Sequence, residues 1–185
     1  MEELNPASIF QNISKFEKKF PPVHLWNPPL CENVDMRISK DGTWYFMNSP
    51  ISRLRMVKLF SRVLRLDKDG CYYLVTPIEK IKLEVEDKPF IVIDFKILNP
   101  GKDQIIIFET NTEDSFALDN KHPLRVVNNK KTFEPSPYIT VRNNLEGLIT
   151  RNIFYKLVDL SEVTKVKGIP RAGVWSSNIF YSLEG

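Results

Sequence analysis

The chain has 185 residues, 42% of them hydrophobic and 26% charged, the balance of a water-soluble globular protein and not of a fibrous, collagenous or disordered one. Lys and Arg number 26 against 23 Asp and Glu, a net charge of +3, which falls well short of the basic excess of a dedicated nucleic-acid binder. Cys31 and Cys71 are the two cysteines; with no CxxC pair and no histidine at ligand spacing, neither a disulfide framework nor a metal site is implied, and reduced thiols in the cytoplasm are expected.

Along the chain, the N-terminal residues are interrupted by Glu2, Glu3, Lys15, Glu17, Lys18 and Lys19, so no secretory h-region is expected, and no apolar run nears the roughly 18 residues of a membrane span. Asn5-Pro6 opens a predicted helix ending near Lys19, with Ile9, Phe10, Ile13 and Phe16 on one face. Phe20 to Leu30 holds four of the 13 prolines around His24 and Trp26, which predicts an ordered, non-helical strap. Met36 to Lys40 and Thr43 to Met47 flank Asp41-Gly42, a hairpin signal because that pair tolerates positive φ.

Ser52 is the predicted cap of a helix running to about Arg65, with Leu54, Met56, Val57, Phe60, Val63 and Leu64 clustered on one face. Asp67 to Gly70 turns the chain. Strands are predicted at Cys71 to Thr76, Glu79 to Val85, Phe90 to Leu98, Gln104 to Thr110, Leu124 to Val127 and Tyr138 to Val141, joined by Asp-, Asn-, Pro- and Gly-rich turns as a run of antiparallel strands. Ile149 to Leu160 is a further predicted helix, and Gly173 to Ser176 with Ile179 to Ser182 a closing hairpin through Ser177-Asn178. At an offset of 98 residues, Ile51-Ser52-Arg53 echoes Ile149-Thr150-Arg151 and Lys58-Leu59 echoes Lys156-Leu157. A duplicated strand-helix-strand unit would explain this, and so would two ordinary capped helices.

Taken in order, Pro22-Val23-His24-Leu25-Trp26-Asn27-Pro28, Asp35-Met36-Arg37-Ile38, Asp41-Gly42-Thr43-Trp44, Leu74-Val75-Thr76-Pro77-Ile78-Glu79-Lys80, His122-Pro123-Leu124-Arg125, Pro137-Tyr138 and Gly173-Val174-Trp175-Ser176 resemble an uncharacterised proteobacterial family, a domain of unknown function of about this length. The likeness runs from Pro21 to Tyr181. It implies an α+β protein of two small domains with a duplicated core and antiparallel sheets. One domain is an N-terminal α+β domain over residues 1–80; the other, over residues 81–185, is an antiparallel β domain with one helix, loosely pleckstrin-homology-like. It also implies a ligand pocket between the domains, a nucleotide-like ligand and a place in bacterial signal transduction. Two positions depart from the family pattern: Glu32-Asn33 stands where a glycine is expected after Cys31, and Ser177-Asn178 replaces a Gly-Gly turn. The second is mild, because Asn tolerates positive φ.

The sharpest chemistry would be catalytic. His24 and His122 are the only imidazoles, and no HExxH, GxSxG, GxxxxGK[ST] or GxGxxG pattern occurs. A Cys31 nucleophile with either histidine is weaker than the plain alternative of a buried thiol and loop-bracing imidazoles. A non-enzymatic role, with no cofactor, is therefore expected. Its candidate binding set is His24, Trp26, Asp35, Arg37, Trp44, Arg125, Tyr138, Arg142 and Trp175. In this set Arg37, Arg125 and Arg142 would fork onto the anionic groups of a nucleotide-like small molecule, while Trp26 and Trp44 stack on its ring. The alternative stays open that the tryptophans fill the core and the arginines pair with Asp35, Glu79 or Glu146. Two other functions remain: a hydrolase with Asp35 or Glu79 as base and His24 as acid, or a protein or RNA surface on the basic stripe Arg55, Lys58, Arg62 and Arg65, which a solvated helix face would equally explain. A signalling protein is a further expected partner.

Overall fold

The computed structural model describes residues 20–101 and 103–185; the predicted helix before Lys19 lies outside the described residues. The chain divides into two compact units, the first ending at Asp87 and the second running from Lys88 to Gly185. The division falls after Asp87 and not after residue 80, because the strand Lys80–Val85 is hydrogen-bonded into the first unit's sheet. Among the described residues there are two α-helices, and strands dominate.

In the first unit, a 3₁₀ turn at Val23–Leu25 interrupts the proline-rich strap before β1 (Leu30–Cys31). The expected hairpin forms from β2 (Met36–Ile38) and β3 (Trp44–Phe46), paired antiparallel. Its turn has Gly42 at φ 83°, and Asp41 Oδ1 accepts the Thr43 amide at 3.0 Å, so Asp41-Gly42 performs the role its chemistry suggests. After β4 (Ser49–Pro50) comes α1 (Leu54–Arg62), whose N-cap is Arg53 with no side-chain cap bond. Ser52 is therefore not the cap. The helix also ends earlier than its periodicity predicts: Leu64–Leu66 is strand β5, followed by β6 (Tyr72–Val75) and β7 (Lys80–Val85).

The sheet order is β4-β3-β2-β7-β6-β5, with β1 also beside β7. Both β1 and β2 pair β7 in parallel, through Leu30↔Lys80 and Arg37↔Glu84, so the sheet is mixed and not antiparallel throughout. Along β7 the pleat sends Ile81 and Leu83 inward and Lys82 and Glu84 outward, the period of two that one buried face demands. Val57, Leu59 and Phe60 of α1 are buried, as is Trp44, whose ring lies 6.3 Å from that of Phe60.

The second unit contains β8 (Phe90–Leu98), β9 (Ile105–Thr110), β10 (Ser115–Ala117), β11 (Leu124–Asn128), β12 (Pro135–Arg142) and β13 (Leu145–Ile149). They lie in the order β10-β9-β8-β13-β12-β11, again with a parallel central pair, β8 and β13. With β1 set aside, the strands of the two sheets thus run third, second, first, sixth, fifth, fourth. The helices do not correspond: α1 follows β4, the third strand of that series, whereas α2 (Arg151–Asp159) follows β13, the sixth. Ile153, Phe154 and Leu157 of α2 join Val92, Ile106, Phe108, Ile139 and Val174 in one apolar cluster.

A three-stranded sheet, β14 (Glu162–Val166), β15 (Ile169–Ser176) and β16 (Ile179–Ser182), ends the chain. The predicted closing hairpin is its second half, turning through Ser177 at φ 52° and Asn178 at φ 63°. At Gly173 a Cβ would come within 2.3 Å of the Tyr181 carbonyl oxygen, so no side chain fits where these strands cross.

Candidate functional site

The predicted set splits between the units. His24 and Trp26 sit on the strap, which is fastened by Arg65: the guanidinium donates to the carbonyls of Val23 and Trp26, both at 2.7 Å, and grips Asp67 through Nε and, at 3.0 Å, Nη2. Arg65 belongs to β5 and not to the face of α1, so the four-residue basic stripe is not a single helical surface. Arg65 holds the Asp67 carboxyl below its usual range, with Lys80 adding to the effect. His24 lines a cavity of about 510 Å³ with Asn27, Arg65, Asp67 and Asp69. Asp35 lines a different one of about 550 Å³ with Cys71, Lys82 and Glu84.

Arg37 projects from β2, where it donates to Glu86 Oε1 at 2.9 Å and lies 4.0 Å from the Tyr45 ring centroid. Trp44 is 1% exposed, which makes it part of the core and removes it from any stacking surface. Cys31 Sγ faces Glu79 Oε2 at 3.9 Å; burial, with that carboxylate, raises the thiol's pKa. A nucleophile needs the opposite shift.

In the second unit, Arg125 and Tyr138 are directly paired across β11 and β12, the guanidinium 4.7 Å from the ring centroid. Arg125 also forks onto Glu146, at 2.7 and 2.8 Å, and Lys88 Nζ reaches the same carboxylate at 2.7 Å. Arg142 donates to Asp114 Oδ2 at 2.9 Å and covers Phe90. All three candidate anion forks are thus engaged with a carboxylate of their own unit. His122 braces its loop through Asp119 at 2.9 Å, against the Phe116 ring.

The Arg125 fork, then burial opposing it and Lys88 supporting it, leave the Glu146 carboxyl at about 2 from an ordinary 4.5. A lowered folded-state pKa contributes stability that is full above 4.5 and lost as pH falls toward 2. Urea midpoints measured across that window should fall steadily for the wild-type protein. For Arg125→Ala the fall should begin at the same pH but be shallower and level off sooner, because the folded-state pKa of Glu146 then lies closer to its unfolded value; superimposable profiles would refute this assignment.

Trp175 has the surroundings of a binding group. It lines a cavity of about 640 Å³ with Gly101, Gln104, Leu160, Glu162 and Asn178, a volume within the range of small-molecule sites. Four segments build it: the β8–β9 turn, the exit of α2, the start of β14 and the β15–β16 hairpin. They are tied together by Gln104, whose side-chain amide donates to the Trp175 carbonyl at 2.8 Å and whose own carbonyl accepts the Ser177 amide at 3.1 Å. Beneath them the buried Ser176 hydroxyl accepts the Ile106 amide at 2.9 Å and donates to the Leu118 carbonyl at 2.7 Å. Trp175 is half-buried, its ring set edgewise 5.4 Å from Phe180. Of these lining residues only Trp175 stands out in the sequence. Gln104 and Glu162 carry no local signal; the fold brings them together.

Family models match the chain in two consecutive pieces: "Domain of unknown function (DUF1285), N-terminal domain" over residues 21–88 and "Protein of unknown function (DUF1285), C-terminal domain" over residues 89–183. The chain is similar to the crystal structure of a DUF1285 family protein from Silicibacter pomeroyi DSS-3, with 42% identity and a TM-score of 0.81 over 90% of this chain and 88% of the other. It shares its fold with a DUF1285 family protein from Shewanella baltica OS155, at 23% identity and a TM-score of 0.55 over 70% of this chain and 94% of the other. No curated protein matches. Among the described residues no helix is long and apolar enough to cross a membrane.

Proposed function

We propose, for a chain that belongs to the DUF1285 family, a non-enzymatic ligand-binding function in which a nucleotide-like small molecule is held by its planar end in the Trp175 cavity. One observation carries this: a half-buried indole lies in a cavity of about 640 Å³ together with Gln104, Glu162 and Asn178, a flat stacking surface beside a few polar groups that fix orientation. Because Arg37, Arg125 and Arg142 are engaged with Glu86, Glu146 and Asp114, recognition is assigned to the ring and not to the anionic tail. Occupancy of the cavity would serve bacterial signal transduction in the cytoplasm, passing to a protein partner.

The finer fold reading belongs with this proposal. The shared strand order of the two sheets supports a duplicated core made of six strands, instead of the strand-helix-strand repeat that the 98-residue echo suggests. Six strands followed by one helix support the loose pleckstrin-homology likeness of the second unit.

A thermal-shift screen of nucleotides tests the function. A ligand at 100 times its Kd adds about 2.7 kcal/mol of stability. Trp175→Ala should weaken such a ligand by about 5- to 100-fold, since base-aromatic stacking contributes about 1–3 kcal/mol, and Trp175→Phe should keep most of the affinity. A shift that survives Trp175→Ala, or no shift with any compound, would sink the proposal.

A further inference from the structure

The one charged group among the described lining residues of the Trp175 cavity is an acceptor. Glu162 supplies a carboxylate, which when ionised is acceptor-only, with two oxygens side by side. Gln104 commits one of its two side-chain N–H donors to the Trp175 carbonyl and keeps the other beside its acceptor oxygen. Asn178 brings a second amide with groups of both kinds, and none of the described lining residues is cationic. An anionic group brought near Glu162 would be repelled. A ring with two adjacent N–H donors would meet the carboxylate in a paired, charge-assisted arrangement.

From these groups we infer that the cavity selects a guanine-type ring, a 2-amino-6-oxopurine whose N1–H and exocyclic amine face Glu162 while the ring stacks on Trp175. This rests on the proposal that the cavity is a ligand site. An adenine ring offers the carboxylate one donor beside a lone pair, which is repulsive. Hypoxanthine keeps N1–H but lacks the exocyclic amine. A guanidinium is also donor-rich and stacks on indole, but it is far smaller than a cavity of about 640 Å³, which has room for a purine and its sugar.

The full-length protein should be titrated calorimetrically with guanosine, inosine, adenosine and free arginine, together with Glu162→Gln and Trp175→Ala variants whose fold is checked by circular dichroism. Guanosine should bind best, with inosine weaker by about 10- to 100-fold, the value of one hydrogen bond to a charged group. Glu162→Gln should narrow that gap, and Trp175→Ala should weaken all nucleosides together. Inosine or adenosine binding as well as guanosine, still dependent on Trp175, would overturn the guanine assignment and leave the cavity as the ligand site. A gap unchanged in Glu162→Gln would overturn the role given to that carboxylate. No nucleoside binding, or arginine binding in their place, would overturn both the assignment and the function proposed for the cavity.

Discussion

Trp44→Ala is expected to lower stability by about 3–5 kcal/mol, the range for removing a large aromatic side chain from a core. The ring is 1% exposed and packs against Phe60, itself fully buried, so the surrounding β2–β3 hairpin and α1 would have to collapse into the space or leave it empty. Trp44→Phe should cost less: much of the ring volume stays, and the indole Nε1 is buried without a hydrogen-bond partner among the described residues, so no such bond is lost there. Urea unfolding measures both. Binding in the Trp175 cavity should be untouched by Trp44→Phe. A Trp44→Ala variant that keeps its stability but loses ligand would instead restore Trp44 as a stacking residue.

Arg65→Ala should cost about 2–4 kcal/mol, because one cation satisfies three partners. Its removal strands the Val23 and Trp26 carbonyls and leaves Asp67, whose side chain is 21% exposed, with Lys80 alone at 3.3 Å. Truncating one member of a largely buried, hydrogen-bonded pair carries a penalty of this order. Arg65→Lys should rescue little, since a single ammonium cannot reproduce a planar fork held between a carboxylate and two carbonyls. The strap should also loosen, so limited chymotrypsin digestion ought to cut at Leu25 or Trp26 faster in the variant. Equal cleavage rates and equal urea midpoints would show that the proline-rich segment holds itself in place.

Much of this architecture is legible in the residues. β8 spans Phe90–Leu98 as its apolar run predicts, and the Ser177-Asn178 hairpin and the Asp41-Gly42 hairpin form where turn chemistry places them. Where sequence reasoning fails, tertiary structure has overridden a local pattern. Leu64 continues the helical period of Val57 and Phe60, yet Leu64-Arg65-Leu66 pairs with Tyr72-Tyr73-Leu74, because sheet pairing offered that backbone better partners than another helical turn. The parallel pairs β2 with β7 and β8 with β13 join segments too distant for any turn signal to announce. Trp44 sits two residues after a hairpin glycine, where an aromatic reads as exposed; a helix arriving later in the chain buries it. Arg125 admits two readings from sequence alone, and its pairing with Glu146 realises the internal one. The candidate cavity is legible only through Trp175, since Gln104 lies 71 residues from it and Glu162 reaches it only through the pairing of β14 with β15.

The parallel central pairs also govern how this protein comes off the ribosome. Each sheet is joined in its middle through the last of its own strands to be made, β7 or β13, so neither can close until the chain has reached Val85 for the first sheet and Ile149 for the second. Contacts of that sequence separation slow folding, and translation proceeds at roughly 5–20 residues per second. A nascent chain therefore spends seconds with β2, and later β8, exposing the backbone edge that its parallel partner will cover. The second unit waits longest, because Val174, Tyr181 and Leu183 of its apolar cluster arrive only with the last residues. Chains stalled before Val85 or before Leu183 are the ones most prone to pair edge to edge with one another.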